Sequence, residues 1–150
     1  MPVKYMNKIQ NTCQPLFCLT ALLLTATLTA SAPQVTSTSP GNGYTRVATS
    51  TNAWNNIVTG RVVSATFDQL IDPSTLTTFT LKENVSQIQV LGIVTINAAN
   101  TVASFTPLSA LKNGTVYTAT LPTSVKTATG IPIAQPVTWS FTTSVQPFTA

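Results

Sequence analysis

The chain has no histidine, and only three of its 150 residues are acidic, namely Asp68, Asp72 and Glu83. Without histidine there is no Ser-His-Asp triad, and the commonest general base and metal ligand is missing. Both cysteines, Cys13 and Cys18, lie in the N-terminal apolar region. The rest of the chain therefore has no thiol chemistry and no disulfide. These absences predict a protein that is not an enzyme and binds no cofactor.

Charge of either sign is scarce. After the first 32 residues, five basic side chains face three acidic ones, which leaves a net charge of +2. The basic residues are scattered singly, and no patch of the kind that binds nucleic acid is formed. They are Arg46, Arg61, Lys82, Lys112 and Lys126. The apolar content is too high and the net charge too low for a disordered chain.

The first 32 residues have the form of a secretory signal peptide. Two lysines precede an apolar run from Leu16 to Ala30, and small residues follow the run. Cleavage after Ala30 and cleavage after Ala32 both fit, although Pro33 would then follow the second site, where signal peptidases tolerate proline poorly. The run is short for a bilayer span, so we expect membrane contact only through the uncleaved leader. The mature protein is expected in the secreted fraction, at the cell surface or in the periplasm.

Residues 33–144 show the pattern of an all-β domain, with residues 145–150 as a C-terminal tail. Short stretches of alternating apolar and polar residues are separated by turn residues at the spacing of a sandwich. Seven or eight strands are predicted. Ile88 to Ile96 is predicted as one longer strand, and Leu108 and Leu111 are expected to cover the bottom of the core.

The stretch from Leu111 to Tyr117 has the sequence form of a tyrosine corner. A leucine is followed by a glycine, Gly114, and then by a tyrosine three residues later. In that device the tyrosine hydroxyl bonds to the backbone upstream and fixes a Greek-key crossover. Asn113-Gly114 allows the positive φ that such a bend needs. The motif predicts an immunoglobulin-like Greek-key β-sandwich.

Several motifs together resemble a known bacterial family. They are VTSTSPGNG at 35–43, ATFDQLIDPST at 65–75, ASFTP at 103–107, LKNGTVYTAT at 111–120 and WSFTT at 139–143. In this order the set is similar to the bacterial Ig-like domain of the SbsA type, first recognised in S-layer proteins. The resemblance implies an exported module of surface-layer proteins, adhesins and secreted enzymes, which in some cold-adapted proteins precedes an ice-binding domain. It implies a structural or adhesive role, with other envelope or surface proteins as partners.

Ligand binding is the alternative to a structural role. The segment from Tyr44 to Gly60 is longer and more polar than the family pattern, and it carries Trp54, which would either stack on a glycan or fold over the sandwich edge. Thr-x-Thr pairs would suit ice binding if they formed one face, although threonine also favours the solvent side of strands. These pairs are Thr36/Thr38, Thr49/Thr51, Thr118/Thr120 and Thr127/Thr129.

A calcium site at Asp68 and Asp72 is the less favoured interpretation of the two carboxylates. Ca²⁺ sites gather more ligands than two carboxylates supply. We expect Asp72 to cap a helical turn after Pro73 and Asp68 to be solvated.

Overall fold

The described part of the chain is an all-β domain. The computed structural model describes residues 30–52 and 58–145. Within these ranges, no helix is long and apolar enough to cross a membrane. Most of the predicted signal peptide, Trp54 and the end of the predicted tail lie outside the described residues, so those predictions stay predictions.

In residues 30–52 and 58–145, ten strands form two four-stranded sheets and a small ribbon. In chain order they are β1 (Val35–Ser39), β2 (Tyr44–Val47), β3 (Ser50–Asn52), β4 (Val58–Gly60), β5 (Val63–Phe67), β6 (Thr80–Glu83), β7 (Gly92–Ile96), β8 (Val102–Pro107), β9 (Val116–Leu121) and β10 (Val137–Thr143). The first sheet has the order β1-β5-β8-β7, the second β2-β10-β9-β6, and the ribbon pairs β3 with β4. The first sheet reproduces the ABED sheet of an immunoglobulin constant-type domain, and β6, β9 and β10 reproduce its CFG sheet, to which β2 adds a fourth strand. The predicted Greek-key sandwich, with eight strands in its two sheets, is confirmed.

Alternation along each strand builds the core. On β9, Tyr117, Ala119 and Leu121 are buried, while the threonines between them lie on the outer face. The small Ala119 lies in register between Leu81 of β6 and Trp139 of β10, so a small side chain alternates with large ones across the second sheet. Such alternation lets the facing layers interdigitate at close packing.

Three aromatic rings join the two sheets. Phe79, which precedes β6, has its ring centroid 5.8 Å from that of Phe105 on β8 and 5.8 Å from that of Trp139 on β10. All three side chains are buried. Their tilted arrangement is the favourable geometry for aromatic pairs, and it links the facing sheets through one side chain.

The chain changes sheets between β1 and β2. β1 pairs antiparallel with β5, and after the turn at Pro40–Gly43 the next strand pairs parallel with β10 in the other sheet. Gly43 has φ +76°, and its N–H donates to the carbonyl of Ser140 at 2.7 Å. The side-chain oxygen of Asn42 accepts from the N–H of Ser140 at 3.0 Å. The turn at Pro40–Gly43 thus holds β2, the strand that follows the change of sheet, against β10.

The ribbon of β3 and β4 lies against the end of β8. The N–H of Leu111 donates to the carbonyl of Thr49 at 2.9 Å. Gly60 is buried, and a Cβ there would clash with Pro107 and with the carbonyl of Ser109. The extra segment between the first two family strands is therefore docked on the loop that leads to the tyrosine corner.

The prediction of one strand from Ile88 to Ile96 is wrong. Only Gly92–Ile96 forms β7, whereas the preceding residues run beside β6. The N–H of Val90 donates to the carbonyl of Leu81 at 2.8 Å, and the N–H of Glu83 donates to that of Ile88 at 3.0 Å. The alternation of apolar and polar residues does not reveal the break before Gly92, because the residues on either side of it both lie at a sheet edge. Those before it lie beside the second sheet, and those after it belong to the first.

The two leucines expected to cover the core have different surroundings. Leu111 is buried, whereas Leu108 is 55% exposed. Pro107, the last residue of β8, is fully buried. The chain therefore turns outward at Leu108, so the prediction that this leucine covers the core is wrong.

Candidate functional site

The corner residues come together around the backbone of Lys112. The hydroxyl of Tyr117 accepts a hydrogen bond from the N–H of Lys112 at 2.9 Å, five residues upstream. The tyrosine is 3% exposed, and its ring stacks on Phe141 at 6.0 Å. Leu111 is buried, and Gly114 has φ +57°. This is the geometry of a tyrosine corner at the crossover from β8 to β9.

A buried threonine completes the corner. The hydroxyl of Thr143 donates to the carbonyl of Lys112 at 2.6 Å and accepts from the N–H of Thr115 at 2.9 Å. The side chain is 2% exposed. Alternation on β10 places this threonine on the inward face with Trp139 and Phe141, but the sequence does not indicate its partner, the carbonyl of Lys112, 31 residues away.

An ion pair ties the corner to β6. The ammonium of Lys112 lies 2.7 Å from a carboxylate oxygen of Glu83. The hydrogen bond from Lys112 is the main cause that lowers the pKa of Glu83, and the same bond raises the pKa of Lys112. The side chain of Lys112 is 65% exposed and that of Glu83 is 17% exposed. Because water reaches the ammonium, the pair contributes little to stability, but it orients the corner loop against the edge of the second sheet.

Four large apolar side chains are exposed on the β6 and β7 side of the sandwich. They are Ile88, Leu91, Ile93 and Leu108, each more than half exposed, and we call them the apolar surface. The N–H of Leu108 donates to the carbonyl of Leu91 at 3.0 Å, so these two leucines are neighbours. Below them is a groove of about 400 Å³ whose lining includes Leu111 and Tyr117.

A second concavity lies on the opposite side, between the edge strands β1 and β2. It has a volume of about 430 Å³, and its lining includes Tyr44, Arg46 and Arg61. We call it the arginine cleft. The sequence contains only these two arginines. Because they are 15 positions apart, they count as scattered charges in the sequence. The pairing of β3 with β4, in which Ser50 lies opposite Gly60, and the hydrogen bond from the N–H of Arg61 to the carbonyl of Thr49 bring the chain back to the same side of the fold.

The model of the bacterial Ig-like domain family matches residues 29–143. The chain belongs to this family. The match covers almost all of the described residues and confirms the resemblance predicted from the motifs. No curated protein sequence matches this Ig-like domain.

Solved structures similar to this Ig-like domain come from S-layer and copper-resistance proteins. The S-layer protein SbsC is 18% identical over 80% of this chain, with a TM-score of 0.52, and the domain covers 14% of that protein. CopC from Methylosinus trichosporium OB3b is 13% identical over 79% of this chain and 99% of its own, with a TM-score of 0.60. PcoC, a methionine-rich copper resistance protein from Escherichia coli, is 14% identical over 76% of this chain and 100% of its own, with a TM-score of 0.57. These identities show a shared fold alone.

The two carboxylates weighed for calcium have local roles in the Ig-like domain. Asp72 caps the 3-10 helix Pro73–Thr78, accepting from the hydroxyl of Ser74 at 2.8 Å and from its N–H at 2.9 Å. These bonds, the hydroxyl first, lower the pKa of Asp72. Asp68 accepts from the N–H of Gln34 at 2.8 Å. In the ranges 30–52 and 58–145 no three His, Cys, Asp or Glu side chains form a cluster that would hold a metal.

The threonine pairs of the domain lie on different surfaces. Thr36 and Thr38 belong to the edge strand β1 of the first sheet, whereas Thr118 and Thr120 lie on the outer face of the second. Thr127 is buried and hydrogen-bonded to Thr129 within a turn. The described pairs therefore do not build one flat face. Trp54 lies outside the described residues, and its ligand-binding role stays a prediction.

Proposed function

We propose that this Ig-like domain is a non-catalytic, exported module with a structural or adhesive role, and that its apolar surface contacts another envelope or surface protein. The observation that carries the proposal is the exposure of Leu91 and Leu108 side by side, 74% and 55% exposed. Adjacent large apolar side chains rimmed by polar ones are typical of protein contact sites. The rim here is the Glu83–Lys112 ion pair.

The rigidity of the surface supports the same role. Leu108 lies between the buried Pro107 and the buried Leu111, and the corner fixes the chain a few residues further on. A contact surface whose backbone is held in place loses little conformational entropy on binding. The secreted fraction, the cell surface and the periplasm all remain compatible with the predicted leader.

Cross-linking in native cells, followed by fractionation and sizing, tests this proposal. We expect recovery in a large envelope-bound complex, and we expect Leu108→Ser to release the domain from it. Leu70→Ser is a matched control, because Leu70 is 56% exposed and does not line the groove. Release by both variants, or recovery of the wild type as a free monomer in the medium, would contradict the proposed contact.

A further inference from the structure

Among the residues that the structure describes, the two arginines of the arginine cleft have no acidic partner. The sequence has three acidic side chains, and each is engaged elsewhere. Asp68 bonds the N–H of Gln34, Asp72 caps a helix, and Glu83 pairs with Lys112. None of the three lines the cleft. Two cations therefore share one concavity without a counter-charge from any side chain.

Arg61 carries a polar group that is withdrawn from water. Its Nε is buried, and within the described residues that atom has no hydrogen-bond partner. A guanidinium has five N–H donors, and leaving one buried and unpaired is costly. Native proteins contain few such groups, and this one belongs to a residue that lines the cleft.

Arg46 stands at an irregular point of its strand. It has φ +58°, in the left-handed region that residues with a side chain rarely adopt. The register between β2 and β10 also shifts there, between the pairs Tyr44–Phe141 and Val47–Thr143. Irregularities of this kind redirect side chains, and here the exposed Arg46 lines the cleft. Strained backbone that is kept in a fold tends to mark a binding position.

Tyr44 supplies an aromatic wall. It is 64% exposed, and a Cβ at Gly41 would lie 2.7 Å from its ring, so one side of the ring rests against the turn backbone. Thr38, Ser39 and Thr45 add hydroxyls to the lining. A volume of about 430 Å³ suits a small molecule or a few linked rings rather than a protein surface.

We propose that the arginine cleft binds the anionic group, a carboxylate or a phosphate, of an acidic saccharide. Arg46 and Arg61 take the anion, since guanidinium groups match carboxylate and phosphate oxygens in a two-pronged geometry. Tyr44 stacks on the sugar ring, and the hydroxyls bond those of the sugar. The site is on the side of the sandwich opposite the apolar surface, so it is independent of the protein contact proposed above.

Titration calorimetry on the folded, exported chain tests this site. The probes are trigalacturonic acid, a neutral galactose trimer, glycerol phosphate and inorganic phosphate. We expect the acidic trimer to bind and the neutral trimer not to bind. A stronger response to glycerol phosphate than to inorganic phosphate would assign the site to phosphorylated sugars, and the reverse order would show that the saccharide part is not recognised.

Matched variants assign the binding to the cleft. Arg46→Gln is expected to weaken binding of the acidic trimer about tenfold to hundredfold, the size typical of a lost charge-assisted pair. Arg61→Lys keeps the charge but loses the two-pronged geometry, and it is also expected to weaken binding of the acidic trimer. Lys126→Gln removes an exposed cation elsewhere and should have no effect, as should Leu108→Ser. If an Arg61 variant fails to fold, Arg46→Gln and Tyr44→Ala still decide the question.

Three outcomes would overturn the proposal. They are binding that Arg46→Gln leaves unchanged, equal binding of the neutral trimer, and the absence of binding at millimolar concentrations. A glutamate hexapeptide that binds more tightly than the acidic trimer would also overturn the saccharide assignment, since it would identify an acidic protein segment as the ligand.

Discussion

At the scale of single residues, Lys112 is the point where the corner is held together. Its N–H bonds the hydroxyl of Tyr117, its carbonyl bonds the hydroxyl of Thr143, and its ammonium pairs with Glu83. Two of these three contacts involve the backbone. Substitution of the lysine side chain therefore tests only the ion pair, and the corner itself is tested through Tyr117 and Thr143.

Tyr117→Phe is expected to lower the free energy of unfolding by about 1–3 kcal/mol, because the N–H of Lys112 loses its acceptor. The change is measured by chemical denaturation. Tyr44→Phe is the control, since that tyrosine is 64% exposed and its hydroxyl bonds to no other group in the part of the chain that the structure describes. Equal midpoints for Tyr117→Phe and the wild type would mean that the corner bond adds nothing to stability.

Thr143→Val is expected to destabilise by a similar amount, about 1–3 kcal/mol, because two backbone groups lose their partner while the side-chain shape is kept. Thr143→Ser keeps the hydroxyl and loses a methyl group. We therefore expect Ser to be the milder change in thermal or chemical denaturation. The reverse order would show that packing of the methyl group, and not the hydroxyl, is what matters.

At the scale of strands and loops, the Glu83–Lys112 pair makes the link between β6 and the corner dependent on pH. The pKa of Glu83 is lower in the folded chain than its ordinary value of 4.5. The ionised carboxylate therefore stabilises the fold fully above pH 4.5, and this stabilisation is lost as the pH falls through the lowered pKa of the folded chain. The pKa of Asp72 is also lower than its ordinary value of 3.8, so the stabilisation from this carboxylate is likewise lost as the pH falls below 3.8. Stability should therefore decrease in acid.

Glu83→Gln is expected to flatten this decrease. The measurement is the denaturation midpoint of the variant and the wild type at neutral pH and at about pH 3, which is below the ordinary pKa values of 4.5 for Glu83 and 3.8 for Asp72. A wild-type midpoint that is independent of pH over this range would contradict the link. The Asp72→Asn variant serves for comparison, because asparagine can still cap the helix but does not titrate.

The docked ribbon depends on a glycine. Gly60→Ala places a Cβ against Pro107 and Ser109, and overpacking of this kind typically costs about 1–3 kcal/mol. We expect the N–H of Leu111, which bonds Thr49, to exchange faster with solvent in this variant while the N–H of Val90, remote from the ribbon, is unaffected. Unchanged exchange at Leu111 would mean that the ribbon tolerates the added methyl group.

The same scale shows how far the sequence predicts this fold. Strand β5 and strand β9 were predictable because alternation with one buried face is a local property, and the corner was predictable because its bend needs a glycine. The break before Gly92 was not, since alternation does not say which sheet a residue pairs with. The cleft escaped prediction for a related reason, because Arg46 and Arg61 come to one concavity through the pairing of β3 with β4, which the sequence pattern did not indicate.

At the scale of the whole molecule, packing replaces the disulfide that immunoglobulin domains of antibodies use. In those domains a cysteine follows the corner tyrosine by two residues. Here that position is Ala119, which is completely buried between Leu81 and Trp139. The aromatic contacts of Phe79 with both sheets provide the inter-sheet link.

The exported protein is therefore expected to contain no thiol, because Cys13 and Cys18 lie within the predicted signal peptide. Thiol titration of the denatured mature protein measures this directly, and a reductant should not shift its denaturation midpoint. N-terminal sequencing of the same sample distinguishes cleavage after Ala30 from cleavage after Ala32. Two titratable thiols would show that the leader is retained.

The parallel pairing of β2 with β10 has a mechanical consequence. The hydrogen bonds from Gly43 to Ser140 and from Ser144 to Val47 join the first half of the chain directly to the last strand. When two parallel neighbours are pulled apart along the strand axis, their cross-links are loaded together in shear, whereas a hairpin opens one bond at a time. A tensile load applied through the ends of this domain would thus meet its firmest resistance at the β2–β10 seam, before the core is stretched.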